Sequence, residues 1–189
     1  HGAKTLRCPL VQIVELDDAS AAQAWIGRVI ERPFDDTILL TGDGLRKLLP
    51  ISGARQDAFI AALQQTRIIT RGPKPARALR EIGLCQFLAA GAPTSQGVLD
   101  TLAAEDLTGR RIGLQLYPGD GAQFLVRALQ DRGAIVDTVT PYRYATEAES
   151  GQVAGMIEKL ATGAIQMIAF TSTPQLQRLF AVAEEYQLE

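Results

Sequence analysis

Histidine is almost missing from this chain. The 189 residues hold one, His1, at the very start. A Ser-His-Asp triad, a Cys-His pair and any His-rich metal site are therefore excluded. Cysteine is nearly as scarce: Cys8 and Cys85 are the two present, and they are not spaced as a metal pair. They read as reduced thiols. Positive charge is not in excess either. Nineteen basic side chains against 21 acidic ones leave a net charge of −2, which argues against a nucleic-acid surface. No apolar run approaches the ~18 residues that would span a bilayer, and no charged-then-apolar leader opens the chain. These absences predict a cytoplasmic protein with no membrane partner. The chain begins on His1 rather than methionine, and residues 181–189 are helix-like with no capping glycine or basic last turn. Both ends are expected to be cut from something longer.

What is present is ordinary globular composition, 47% hydrophobic and 21% charged, enough for one large domain or two small ones. Residues 10–16 (LVQIVEL) alternate loosely, as a half-buried or connecting strand does. From there a unit recurs: short apolar strand, glycine or threonine loop, helix. Strands are expected at 37–40 (TILL), 67–70 (RIIT), 111–116 (RIGLQL), 134–139 and 165–170 (IQMIAF). Helices follow each, the first after Asp17-Asp18-Ala19-Ser20, others ending at Gly83, Gly133 and Gly163. The alternation reads as α/β with parallel sheets, the loops gathered at the carboxyl ends of the strands. Ile38-Leu39-Leu40-Thr41-Gly42 also resembles Ile168-Ala169-Phe170-Thr171-Ser172, and each feeds a Leu-rich helix. Two such copies predict two similar domains.

Several loops carry candidate chemistry. Thr41-Gly42 and Thr171-Ser172 lie between a strand and a helix start, where backbone N–H groups and a hydroxyl can hold a carboxylate. A plain N-cap is the alternative. Arg71-Gly72-Pro73-Lys74 adds two cations to the same geometry and reads either as an anion clamp or as a solvated turn. Thr94-Ser95 is a further cap. Gly119-Asp120-Gly121 lacks the third glycine of a dinucleotide fingerprint and reads as a plain turn. Tyr142, between Pro141 and Arg143, is either an amphipathic boundary residue or a proton donor aimed into a cleft. The adjacent pairs Asp35-Asp36 and Glu184-Glu185 diverge in space and are expected to be solvated. Fifteen arginines against four lysines suit carboxylate binding, or reflect genomic base composition.

Taken in order, several of these segments resemble uroporphyrinogen-III synthases. The likeness is carried by residues 72–84 (GPKPARALREIGL), 93–99 (PTSQGVL), 107–112 (LTGRRI), Gly133-Ala134 through Pro141-Tyr142-Arg143, and Phe170-Thr171-Ser172. The resemblance implies two α/β domains joined by a two-stranded ladder, with a cleft between them. Residues 9–15 and 139–144 would be the ladder strands. Residues 16–138 would form one domain, and 1–15 with 139–189 the ladder and a second, shortened one. It implies cyclisation of hydroxymethylbilane with inversion of ring D and loss of water, a step toward haem, sirohaem and cobalamin. Tyr142 would then be the catalytic donor, with Thr41, Gly42, Arg71, Gly72, Lys74, Thr94, Ser95, Thr171 and Ser172 binding substrate. No metal or other cofactor is implied, and the partner is a small polyanion met by a monomer. Thr41-Gly42 replaces the family's threonine-serine loop, and Pro75 stands where a threonine is usual. Both look more like a subgroup of synthase-like proteins sometimes fused to a DNA-binding regulatory domain. A ligand-sensing domain without turnover is thus the alternative function. A two-domain solute receptor is a third, weakened by the missing leader.

Overall fold

The computed structural model describes residues 2, 4–145 and 149–188. His1, the sole histidine, and the terminal Glu189 lie outside the described residues, as do Ala3 and 146–148. The chain divides into two compact units, His1–Val14 with Tyr144–Glu189, and Glu15–Arg143.

The larger unit is built on a parallel sheet of five strands. In chain order they are β2 (Asp36–Leu39), β3 (Arg67–Thr70), β4 (Leu88–Ala89), β5 (Arg111–Gln115) and β6 (Ile135–Val139); across the sheet the order is β4-β3-β2-β5-β6. Strand β2 pairs with β3 from Asp36–Arg67 to Leu39–Thr70, and with β5 from Asp36–Ile112 to Leu39–Gln115. The chain thus winds outward through β3 and β4, then returns to the other side of β2. Between β2 and β5 the winding reverses, the place where open α/β sheets offer a crevice.

Period-two alternation sends neighbouring side chains to opposite faces. Leu39 and Ile68 join Trp25, Ile26, Leu45, Leu48, Phe59 and Leu79 on one face. They pack under α1 (Ser20–Glu31), α2 (Gly42–Ser52), α3 (Gln56–Gln64) and α4 (Pro73–Glu81). Ile38, Leu40, Ile69, Ile112 and Leu114 meet Val98, Leu102, Leu125 and Leu129 on the other, under α5 (Ser95–Thr101) and α6 (Gln123–Asp131). Because both faces are covered, these strands read as unbroken apolar runs. Helices α4 and α6 stop in the same way. At Gly83 (φ 80°) and Gly133 (φ 82°) the backbone turns left-handed, and Leu84 and Ala134 donate back to Leu79 and Leu129.

Strand β6 is the outermost strand of the sheet beyond β5, and α1 packs against its face. The buried Trp25 indole donates to the Asp137 carbonyl at 3.2 Å, and Arg28 pairs with the Asp137 carboxylate at 2.6 Å.

The smaller unit contains α7 (Ser150–Ala161) and α8 (Thr173–Glu185). They pack through Val153, Ala154, Met156, Ile157 and Val182, together with Leu10. Strand β1 (Gln12–Val14) pairs with β7 (Arg143–Ala145) in a two-stranded sheet where the chain passes from one unit to the other.

Four sequence expectations are corrected. Residues 165–170 form no strand, because no described strand of that unit lies beside them to complete a ladder; the expected parallel sheet of a second similar domain is likewise absent among the described residues. The segment expected as one ladder strand, 139–144, is divided: Val139 ends β6 in the large sheet, and only Arg143 onward belongs to β7. Strand β4, two exposed residues, has no sequence signal at all. The fourth concerns Asp36.

Asp36 is not solvated but fully buried. It opens β2, between Arg67 at 2.5 Å and Arg110 at 2.8 Å. Arg67 also grips Glu105 through two bonds of 2.9 and 2.7 Å. That contact holds the Glu105 carboxyl below its ordinary range and raises the Arg67 guanidinium above its own. A buried carboxylate needs such partners, since an unpaired one would be expelled or neutralised.

Candidate functional site

The loops singled out from sequence that lie in the larger unit follow the carboxyl ends of its strands. Thr41 follows β2 and caps α2, its hydroxyl accepting from the Gly44 amide at 3.0 Å. The next residue must be small: a Cβ on Gly42 would stand 2.6 Å from the Lys74 carbonyl oxygen. Thr94 caps α5 in the same manner, accepting from the Gly97 amide at 2.9 Å. Gly72 faces Pro93, where an added Cβ would come within 3.0 Å of the proline ring. These close approaches bring the loops after β2, β3 and β4 together, so Thr41, Gly42, Gly72, Lys74 and Thr94 form one neighbourhood with Ser95 beside it. Arg71 sits at its margin, its guanidinium 5.0 Å over the Tyr117 ring.

The helix starts differ in what they can offer. The first and third positions of α4 are Pro73 and Pro75, so two of its orphan amides do not exist. Arg71-Gly72-Pro73-Lys74 is therefore poorer in backbone donors than its position implies, and Pro75 itself is buried.

Tyr142 follows β6 and is 2% exposed. Its hydroxyl lies 3.3 Å from that of Thr41, a contact across 101 residues of sequence. The neighbouring Arg143 pairs with Asp17 at 3.0 Å. Many other arginines are engaged within the protein: Arg28 with Asp137, Arg46 with Glu81, Arg67 and Arg110 with Asp36. The arginine excess thus serves internal pairing as much as any ligand.

One residue of this neighbourhood was not singled out from sequence. Gln115 ends β5, is fully buried and reaches across the reversal point to Thr41. Its Oε1 accepts from the Thr41 amide at 3.0 Å, and its Nε2 donates to the Thr41 hydroxyl at 3.2 Å. Its signal in the sequence is faint: a lone amide near the end of an otherwise apolar strand.

Thr171 and Ser172 belong to the smaller unit. Ser172 stands at the N-cap of α8 with no capping bond from its side chain, while the Thr171 amide donates to Gln175 Oε1 at 2.8 Å. A groove of about 970 Å³ in that unit runs between 4–11 and 164–170, and neither residue lines it. A second groove, about 700 Å³, lies along 63–68 and 83–88 of the larger unit, away from Thr41 and Tyr142. Among the described residues no three His, Cys, Asp or Glu side chains are placed to hold a metal ion. No helix of the described residues is long and apolar enough to cross a membrane.

The family model for uroporphyrinogen-III synthase HemD matches residues 1–189. A curated relative, the uncharacterized protein YjjA of Bacillus subtilis, is 28% identical over 156 residues, 82% of this chain and 57% of its own length. Two crystal structures of uroporphyrinogen III synthase from the extremely thermophilic bacterium Thermus thermophilus are similar. A mutant form shares 27% identity at a TM-score of 0.67, covering 92% of this chain and 66% of that one. The wild type shares 28% at 0.59, covering 94% and 65%. The chain therefore spans about two thirds or less of the length of these relatives. With the order of its strands, the threonine-capped helix starts and a tyrosine after β6 now joined by a match along all 189 residues, the chain belongs to the uroporphyrinogen-III synthase family.

Proposed function

We propose that this chain provides the synthase chemistry of its family, closing hydroxymethylbilane into uroporphyrinogen III. The observation that carries this reading is the pairing of the Tyr142 hydroxyl with Thr41 at the carboxyl end of the sheet, beside the reversal point. The substrate is a flexible linear tetrapyrrole with acetate and propionate groups. Its ends must meet with one ring reversed, a problem of orientation. Good orientation alone lowers a barrier by roughly 7–11 kcal/mol. In this reading the loops at Thr41-Gly42, Arg71-Gly72, Lys74 and Thr94-Ser95 hold carboxylates of the substrate. Tyr142 gives its proton to the hydroxyl leaving the terminal methylene, which departs as water. The proton lost from the pyrrole when the ring closes restores the phenol. No step needs a covalent nucleophile.

The decisive assay measures type III against type I product from hydroxymethylbilane. Type III formed faster than spontaneous closure to type I supports the reading; only type I refutes it. Tyr142→Phe should lower turnover about 100-fold or more with substrate affinity near normal. A variant that cyclises at full rate removes Tyr142 from the role.

A second reading is favoured by the proline pair at α4 and by the Thr41 amide being occupied by Gln115. Both reduce the donors offered to a polyanion. The unit would then sense a tetrapyrrole for a partner or fused domain without turning it over. Tight binding of hydroxymethylbilane with type I product alone is its signature.

A further inference from the structure

The arginines of the larger unit are held in two ways. Arg28, Arg46, Arg67, Arg110 and Arg143 spend N–H groups on carboxylates of the protein itself. Arg71 does not. Its guanidinium carbon stands 5.0 Å over the Tyr117 ring, and no ion pair or side-chain hydrogen bond among the described residues engages it. An aromatic face attracts the charge without consuming the fork of N–H donors. A ligand carboxylate can therefore take that fork with no ion pair to break first. Two other arginines lie over rings, and neither is placed like Arg71. Arg80 meets Phe87 at 5.2 Å from the last turn of α4. Arg111, over Phe34, also donates to the Arg32 and Pro33 carbonyls at the amino end of β5.

Position and packing mark the Arg71–Tyr117 contact as part of the site. Arg71 follows β3 and Tyr117 follows β5, with β2 between those strands. At about 4.8 Å per strand the contact links loops roughly 10 Å apart. It lies at the reversal point, next to the loop in which Thr41 starts α2. The ring has its own seat. A Cβ on Gly121 would stand 2.8 Å from the Tyr117 hydroxyl oxygen and 3.3 Å from a ring carbon. Gly121 has no left-handed φ, so the position requires its small size and not its backbone freedom. The turn Gly119-Asp120-Gly121, which lacks a nucleotide fingerprint, thereby gains a purpose. We propose that Tyr117 is a positioning residue of this site: seated on Gly121, it holds Arg71 at the carboxyl end of the sheet with its donors open, ready to grip one carboxylate of the tetrapyrrole in bidentate fashion. The inference rests on the reading of this site as the binder of hydroxymethylbilane.

Two measurements on the full chain test it. In protein labelled with ¹⁵N-arginine, the Arg71 Nε–Hε resonance, assigned by its loss in Arg71→Gln, should be displaced by the ring. Tyr117→Leu should return it to the ordinary arginine position, Tyr117→Phe should leave it displaced, and the Arg80 line should not move in either. With hydroxymethylbilane, Tyr117→Leu should raise KM about fivefold with kcat changed less than about twofold, and Tyr117→Phe should recover most of that loss. Arg71→Gln should raise KM about tenfold or more, and adding Tyr117→Leu to it should cost nothing further. An Arg71 line indifferent to Tyr117→Leu, or a KM cost of Tyr117→Leu that persists beside Arg71→Gln, overturns the proposal. Should Tyr117→Leu fail to fold, Gly121→Ala must shift the same line and raise KM in the same way, and its failure to do so overturns the proposal equally. Should the unaltered chain form no type III product, the catalytic reading fails by itself. The probe is then uroporphyrin I, which bears the same acetate and propionate groups: movement of the Arg71 line on its addition supports the carboxylate grip, and an unmoved line overturns it.

Discussion

The larger unit is held by a sheet with apolar side chains on both faces and helices over each; the smaller by two helices and a short list of contacts. In the first, Leu39, Ile69, Leu114 and Trp25 are fully buried. In the second, most of the apolar side chains around Val153 and Val182 are only partly covered, among them Ile165, Ile168, Phe170 and Leu179. Every ion pair between described residues lies in the larger unit. A sheet covered on both sides locks its register through many neighbours at once. A helix pair relies on one seam, so the two units should differ in local stability.

The sharpest blow to that contrast is Asp36→Ala. It leaves Arg67 and Arg110 facing a buried gap and should cost the larger unit about 3 kcal/mol or more, read by urea unfolding. A loss under about 1 kcal/mol would mean the cluster is decoration. Next comes a matched pair. Leu39→Ala should cost about 2–5 kcal/mol. Leu179→Ala, at a partly covered seam, should cost less than half as much. Equal costs would erase the distinction between the units. Trp25→Phe keeps most of the core contact but removes the donor to Asp137, and about 1 kcal/mol should go with it. Faster amide exchange along β6 is the accompanying readout. The smallest effect is in acid. Glu105 is held below its usual range by Arg67, so its contribution is complete above the unfolded value and disappears as pH falls through the folded one. Glu105→Gln should therefore shrink the stability lost between pH 7 and about pH 3 by less than 1 kcal/mol. An unchanged pH profile would show that the Arg67–Glu105 contact does not participate.

Local chemistry explains which features were legible in the sequence. Thr41 and Thr94 announce helix starts because their hydroxyls cap amides three residues on, and Gly83 and Gly133 announce helix ends because they turn left-handed. The family likeness rests on the same short-range signals. Asp36 misleads because its partners lie 31 and 74 residues away; beside Asp35 it looks like half of a surface pair. Gln115 is hidden for the same reason, its bond to Thr41 spanning 74 residues. Residues 165–170 carry the composition of a buried strand, yet a strand is defined by its neighbours, and composition does not supply them.

The outer side of β6 has a consequence at high concentration. An unguarded outer strand is a template on which another chain can lay itself down and begin a fibril. The Asp137 carbonyl that the Trp25 indole meets is on the side of β6 turned toward β5, as the bonds of Ile135 and Val139 to that side show, so the indole ties a helix to the inner side of the strand. The outward backbone groups of β6 are those of Val136 and Thr138, and an approaching peptide would gain its first rung there.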